Sequence, residues 1–218
     1  YSSGGGNLKF NFRGDGEAFA DGSFTGGGAD YAEYFEWEDG NSSNEDRRGY
    51  SVVLVNNKIR KATSSDAAAD IIGVVSANPS AVGDAAWNNW SGKYLRDDFG
   101  SYVIETHTST KWSEDVTDED GIVTTKQRDY ETDQIPSDVT VPADAVVYTK
   151  DDKGNILTRR KINPDYDETL TYLPRENRQE WDTIGMVGKL RLRVGQPTGD
   201  RWIKMRDVSE SVEEWLVR

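Results

Sequence analysis

Gly26-Gly27-Gly28-Ala29-Asp30-Tyr31-Ala32-Glu33-Tyr34-Phe35-Glu36-Trp37 joins a glycine run to an acidic and aromatic segment with no spacer. Glycine opens backbone conformations that other residues avoid. Asp30, Glu33 and Glu36 recur at every third position, with Tyr31, Phe35 and Trp37 between and beside them. Carboxyl groups set among aromatic rings can titrate near neutral pH and serve as acid or base. Two geometries are open. On a helix or turn, residues three apart face the same way, and Asp30 and Glu33 both reach one peptide bond. On a strand, Glu33 instead shares a face with Tyr31, Phe35 and Trp37. In either case one carboxyl can activate a water or attack the neighbouring carbonyl, while another protonates the departing nitrogen. The segment is a candidate place for a chain to cut itself.

The junction also divides two textures. Upstream, Leu8, Phe10 and Phe12 alternate with polar residues, a period of two that predicts a strand. Asp15-Gly16 signals a turn, and Ala18, Phe19, Ala20 and Phe24 predict a second short strand around Asp21-Gly22. Such strands cannot bury a core alone and suit the end of a fibre shaft packed against other chains. Residues 1–29 are therefore read as a shaft-like leader and 30–218 as a globular domain. The Ser/Gly opening after Tyr1 reads as the middle of a longer polypeptide.

Downstream, Tyr50–Val55 and Lys58–Ala62 flank Asn56-Asn57, a hairpin pattern. Ile71–Ala77 is a continuous apolar run of strand length, expected to be buried on both faces. Val82–Leu95 reads as a loop or short helix, Ser101–Thr106 as a strand, and the acidic Lys111–Asp138 as an exposed loop or hairpin. Ala145–Thr149 and Ile156–Lys161 suggest a second hairpin across Asp151–Gly154. Ile184–Val194 reads as a bent strand and Trp202–Met205 as a short one. Val208, Val212, Trp215 and Leu216 fall on one helical face, with Ser209 as a cap. The expected fold is α+β and β-rich: an irregular, barrel-like sheet core with short helices, preceded by the shaft-like segment.

Composition narrows the function. The net charge of −13 opposes non-specific binding to nucleic acid or to anionic membranes. No apolar run approaches the roughly 18 residues that span a bilayer, and no secretory signal opens the chain. With no cysteine, disulfides and thiolate metal sites are excluded. Seven Trp and ten Tyr supply core bulk despite 35% hydrophobic residues.

Other groups are candidates beside the junction. Ser23 and Thr25 could support an acyl shift, but no base accompanies them in sequence, and such residues are ordinary in turns. His107, the sole histidine, allows a spatial Ser–His–Asp triad, although no nucleophile-elbow motif supports one. Asp39, Asn41, Asn44, Glu45 and Asp46 form an oxygen-rich loop whose spacing does not match a calcium loop, so no metal is expected. Arg159, Arg160, Lys161, Arg175, Arg178, Arg191 and Arg193 concentrate basic charge in the second half. They suit surface ion pairs, pairing with the acidic 30–46 segment across an interface, or an anion. Trp87, Trp90 and Tyr94 could stack on a sugar or pack at an interface.

The chain also resembles a known family. GGADYAEYFEWEDGN (27–41), EDRRGYSVVLVNNKIRKA (45–62), IIGVVSANPS (71–80), KYLRDDFG (93–100), LTRRKINPDYD (157–167), PRENRQEWDTIGMVGKLRLRVGQPTGDRW (174–202) and EEWLVR (213–218) carry the likeness. They resemble the self-cleaving C-terminal domain of phage tail spikes and fibres, the G2 peptidase or intramolecular chaperone autoprocessing domain. The acidic stretch near 110–135 carries none of it. The resemblance implies a homotrimer that folds the upstream shaft of its own polypeptide and then releases itself. It implies a phage protein made in the host cytoplasm, with the fibre in the virion. It places the cut at Ala29–Asp30 and makes Glu33 the catalytic residue, with Asp30 assisting. The family is linked to nucleotide binding, which no residue here displays. The alternative is an attached tip that binds a receptor glycan, or a trimerisation tip that is never cut.

Overall fold

The computed structural model describes residues 2–3, 7–14, 16–86 and 92–218. The chain forms two compact units, Tyr1–Trp87 with Leu173–Arg218, and Asn88–Tyr172.

The first unit opens with β1 (Ser2–Ser3) paired to β2 (Asn7–Leu8), then β3 (Phe10–Phe12) paired antiparallel to β4 (Ala18–Ala20). The alternation read upstream thus gives short hairpins. Phe12 and Phe19 remain 74% and 50% exposed, so the β3–β4 hairpin buries no core, and Phe24 beyond it is 70% exposed. An eight-stranded sheet then begins with β5 (Asp30–Glu36), β6 (Ser51–Val55), β7 (Lys58–Lys61), β8 (Ile71–Val75) and β9 (Ala81–Gly83). The β6–β7 turn places Asn56 at φ +56°, the left-handed conformation that asparagine tolerates. In β8, Val74 and Val75 enter different apolar clusters, as a run buried on both faces requires.

The second unit contains β10 (Ile104–Thr106), β11 (Ser109–Thr117), β12 (Val123–Glu131), β13 (Val146–Tyr148) and β14 (Thr158–Arg160). The acidic segment is the β11–β12 hairpin, anchored by Trp112, which stacks on Tyr130 at 5.4 Å. The expected 145–161 hairpin forms only at its tip, through a bridge between Lys150 and Ile156. Its flanks pair elsewhere, β13 with β11 and β14 with β10. Of the expected 101–106 strand, only β10 is regular.

The first unit closes with β15 (Trp181–Arg193), β16 (Ile203–Ser209) and β17 (Val212–Val217). β15 is the spine of the large sheet and pairs with β5, β8 and β17. A bulge between Gly185 and Val187 bends it, as its glycines suggested. Beyond the bend, Leu190 and Leu192 are buried while Lys189 and Arg191 face outward. The apolar core lies in three clusters, around Trp37 and Ile184, around Leu190 and Val217, and around Val53 and Ile71.

Two expectations are corrected. Residues 208–217 are not a helix. They are the end of β16, a turn at Glu210-Ser211, and β17. Cross-strand pairing with β15 overrides the helical spacing, and Ser209 Oγ accepts the Ser211 N–H across the turn at 3.3 Å. The fold is also not α+β or barrel-like. Among the described residues the only helical pieces are three 3₁₀ turns at Ala68–Asp70, Thr132–Gln134 and Arg175–Asn177. The sheets are open, and no closed barrel forms among those residues.

Candidate functional site

The Ala29–Asp30 peptide sits where the glycine run enters β5, against β15. The Ala29 carbonyl accepts the backbone N–H of Lys189 at 3.2 Å, and the Asp30 carbonyl accepts that of Ser80 at 2.7 Å. Glycines make this fit possible. A Cβ on Gly188, which has φ +124°, would lie 2.4 Å from the Ala29 carbonyl oxygen. A Cβ on Gly28 would lie 2.4 Å from the backbone of Asn78, Pro79 and Ser80. The chain therefore passes flush between the 78–80 segment and β15, with a backbone donor aimed at the Ala29 carbonyl. Such a donor stabilises negative charge that develops on the oxygen during acyl transfer. A cleft of about 830 Å³ runs along the junction, lined by Gly28, Ala29, Asp30, Ser76, Lys189 and Arg191 among others.

The Asp30 side chain is buried, 6% exposed, and hydrogen-bonds Ser76. Its Oδ2 is buried with no hydrogen-bond partner and lies against Gly185, where a Cβ would come within 2.6 Å of it. Burial pushes the Asp30 carboxyl above the ordinary carboxylate range, against the lowering effect of Ser76. The result is a buried carboxyl of raised pKa beside a peptide bond whose carbonyl accepts a backbone N–H.

Glu33 lies elsewhere. The segment is a strand, so residues 30 and 33 point to opposite faces. Asp30 shares its face with the buried Ala32, and Glu33 lies with Tyr31, whose ring is 41% exposed. Tyr31 Oη donates to Glu33 Oε1 at 2.5 Å, and that bond, followed by burial and the Glu33 charge, raises the Tyr31 pKa. Three strand residues span about 10 Å. The two carboxyls therefore do not converge on the Ala29–Asp30 bond within one chain, which excludes the helical geometry.

Ser23 and Thr25 are exposed in the leader. His107 is half-buried in the second unit with Nδ1 unpartnered, and Ser109 Oγ donates to Asp129. The oxygen-rich loop wraps its own arginines. Arg47, which is buried, donates to both Asp39 oxygens at 2.8 and 2.7 Å and to Glu45 at 3.1 Å. Arg47 thereby holds the Asp39 carboxyl down to about 2. Among the described residues no group of three or more acidic or histidine side chains is placed to hold a metal ion.

The basic residues divide between the two units. Arg159 binds Glu105, Glu131 and Asp133, and Arg160 packs over Tyr102 at 4.0 Å. Arg175 packs over Trp181 at 4.0 Å, Arg178 pairs with Glu180, and Arg193 bonds the backbone of Asp46 and Arg48. The acidic 30–46 segment thus finds several partners within its own chain. Tyr94 packs edge-on against Tyr102. Trp87 and Trp90 lie outside the described residues.

The chain is similar to known proteins along nearly its whole length. A family model described as Peptidase_G2, IMC autoproteolytic cleavage domain, matches residues 2–214. The chain belongs to this family. The match runs through the Ala29–Asp30 junction and includes the leader hairpins. Among curated relatives, the pre-neck appendage protein of Bacillus phage B103 is 30% identical over 86% of this chain and 16% of its own length. The preneck appendage protein of Bacillus phage PZA is 30% identical over 89% of this chain and 18% of its own. The chain spans less than a fifth of the length of these relatives. Two solved structures are similar. The pre-mature bacteriophage phi29 gene product 12 gives a TM-score of 0.64 at 25% identity, covering 96% of this chain and 24% of that one. The C-terminal fragment of the same gene product gives 0.52 at 26% identity, over 87% of this chain and all of the fragment.

The sequence marks Asp30, Glu33 and the junction, and sets Tyr31 on the Glu33 face of a strand, but does not mark Ser76 or Lys189. Ser76 lies inside the quoted IIGVVSANPS block, with no pattern marking it as a partner for Asp30. Lys189 acts through its backbone N–H, which has no side-chain signature. Tyr31 stands two residues before Glu33, and the strand alternative puts both on one face, where they hydrogen-bond.

Proposed function

We propose that this Peptidase_G2 domain is the self-processing C-terminal assembly domain of a phage tail appendage. Three copies associate, align the upstream shaft of the same polypeptide, and are each cut once between Ala29 and Asp30. Residues 1–29 then remain with the shaft, and 30–218 form the released chaperone. The protein is made in the host cytoplasm, and its shaft enters the virion.

The observation that carries this reading is the junction itself. The Ala29 carbonyl accepts the Lys189 N–H, and the buried Asp30 carboxyl belongs to the residue whose nitrogen must leave. Glu33 acts as the base of a glutamic-type reaction. It takes a proton from a water as the water oxygen bonds to the Ala29 carbonyl carbon. The Lys189 N–H stabilises the resulting oxyanion. The C–N bond then breaks as the Asp30 carboxyl gives its proton to its own departing nitrogen, and Glu33 passes the proton it took to the Asp30 carboxylate, restoring both groups. One water is consumed, and one carboxyl and one amine are formed. Each chain carries one junction, so each reacts once.

Assembly follows from the leader. Phe12 and Phe19 are exposed on a hairpin without a core and Phe24 just beyond it, and neighbouring copies would cover them. A trimerising domain raises the effective concentration of the three shafts. Cleavage then leaves the shaft held by its unfolding barrier. The test is Glu33→Gln. The amide keeps the size of the side chain and loses the base, so the variant should form the normal assembly and stay uncut. A normally assembled Glu33→Gln protein that cleaves at the wild-type rate would overturn this mechanism.

A further inference from the structure

We infer that Glu33 acts on the Ala29–Asp30 junction of a neighbouring copy and not on its own. The inference rests on the self-cleavage reading above and adds which chain supplies the base.

Strand parity comes first. Asp30 and Glu33 face opposite sides of β5, and three residues of extended chain separate them by about 10 Å, more than a glutamate side chain spans. Nor is Glu33 free to swing back. Its Oε1 is held by Tyr31 Oη at 2.5 Å, and its Cγ lies against the Cα side of Gly83, where an added Cβ would come within 2.9 Å. β5 is itself clamped, antiparallel to β15 and parallel to β9. Moving Glu33 to its own junction would require melting the strand that positions Ala29 against Lys189.

The junction is suited to an outside carboxylate. Ala29 is exposed while Asp30 is buried, which leaves the bond approachable from the side opposite the Asp30 carboxyl. The cleft beside it is lined by Lys189 and Arg191, both directed outward, and also by Asp46, Glu214 and Arg48, the last paired with Asp46 at 2.7 Å. Arg191 is 63% exposed, and its nearest acid, Glu214, is 3.8 Å away. The outward side chains of Lys189 and Arg191 can attract a carboxylate and orient it on arrival. Glu33 is offered outward on a surface that includes Tyr31 and Val187, 41% and 56% exposed. The occupant that matches both surfaces is a second copy of this chain, its β5 face set against the first copy's cleft. Cleavage is then impossible in a lone chain, which ties the reaction to assembly.

Mixed assemblies test this. The full chain is co-expressed in two versions that differ in tag mass, one wild type and one Glu33→Gln. Assemblies are captured through the tag of the Glu33→Gln version, and every chain is read by intact mass. Action between chains predicts that captured Glu33→Gln chains are cut while some wild-type partners stay whole. Action within a chain gives the reverse, every wild-type chain cut and every Glu33→Gln chain intact, and would overturn the inference while leaving self-cleavage standing. If wild-type assemblies alone are not cut, both readings fail. A Tyr31→Phe version in the same format reads positioning. Its loss of the Glu33 hydrogen bond should slow the cutting of partner chains and leave the cutting of its own junction by wild-type neighbours unchanged.

Discussion

At Asp30 a carboxyl oxygen is buried without a partner while Ser76 hydrogen-bonds the same group. Burial raises its pKa above the unfolded value, so its contribution to stability is complete below the ordinary carboxylate pKa. That contribution is lost as pH rises through the raised value. Near neutral pH the group therefore costs stability, and an uncharged isostere should recover it. In a Glu33→Gln background, which keeps chains whole, Asp30→Asn is expected to raise Tm at neutral pH by about 2–4 °C, the response of a chain of this size to ~1 kcal/mol. Well below pH 4 the difference should vanish. Equal shifts at both pH values in thermal melts would mean that the proton on Asp30 is not what burial acts upon. In the Glu33-intact protein, Asp30→Asn should slow cleavage, because an amide cannot supply the leaving nitrogen with an acidic proton. Both acids were legible in the sequence as carboxyls beside aromatics. Their opposite orientation was not, because helix and strand readings of the same spacing predict different faces. Only the pairing of β5 with β15 decides between them.

Among the elements, β15 does most to build the site, since one end supplies Lys189 and Gly188 and the other carries the buried Ile184. Gly188→Ala should both destabilise the domain and slow cleavage, because its Cβ would meet the Ala29 carbonyl at 2.4 Å in a left-handed conformation. Rates should fall at temperatures where circular dichroism still reports a folded sheet. Leu192→Ala, at a buried position in the cluster with Val74, Leu190 and Val217, should cost about 2–5 kcal/mol in denaturant unfolding. While the domain stays folded, the junction chemistry should be unchanged. Strands with clear period-two or continuous apolar patterns, such as β6, β8 and β15, could be read from the sequence. The final hairpin could not. Val208, Val212, Trp215 and Leu216 fit a helical stripe, yet Val212–Val217 is held as β17 by pairing with β15 on one side and β16 on the other. Pairing partners distant in sequence leave no trace in local spacing. The same holds for β13 and β14, whose local hairpin pattern is overridden by β11 and β10.

For the whole molecule, the account joins assembly to chemistry. Light scattering on the processed domain should give about three times the single-chain mass, where the full chain is 24.4 kDa before the leader is lost. A monomer at micromolar concentration would remove the assembly role and with it the supply of Glu33 from a neighbour. The family was recognisable from blocks spread along the chain. The central claim remains the position of the cut. N-terminal sequencing of the smaller product, taken from a chain that extends upstream of the leader, tests it most directly. The account predicts a product that begins Asp30-Tyr31-Ala32-Glu33. A product beginning at Ser23 or Thr25 would instead point to an acyl shift, and assembled chains that never lose mass would contradict self-cleavage altogether.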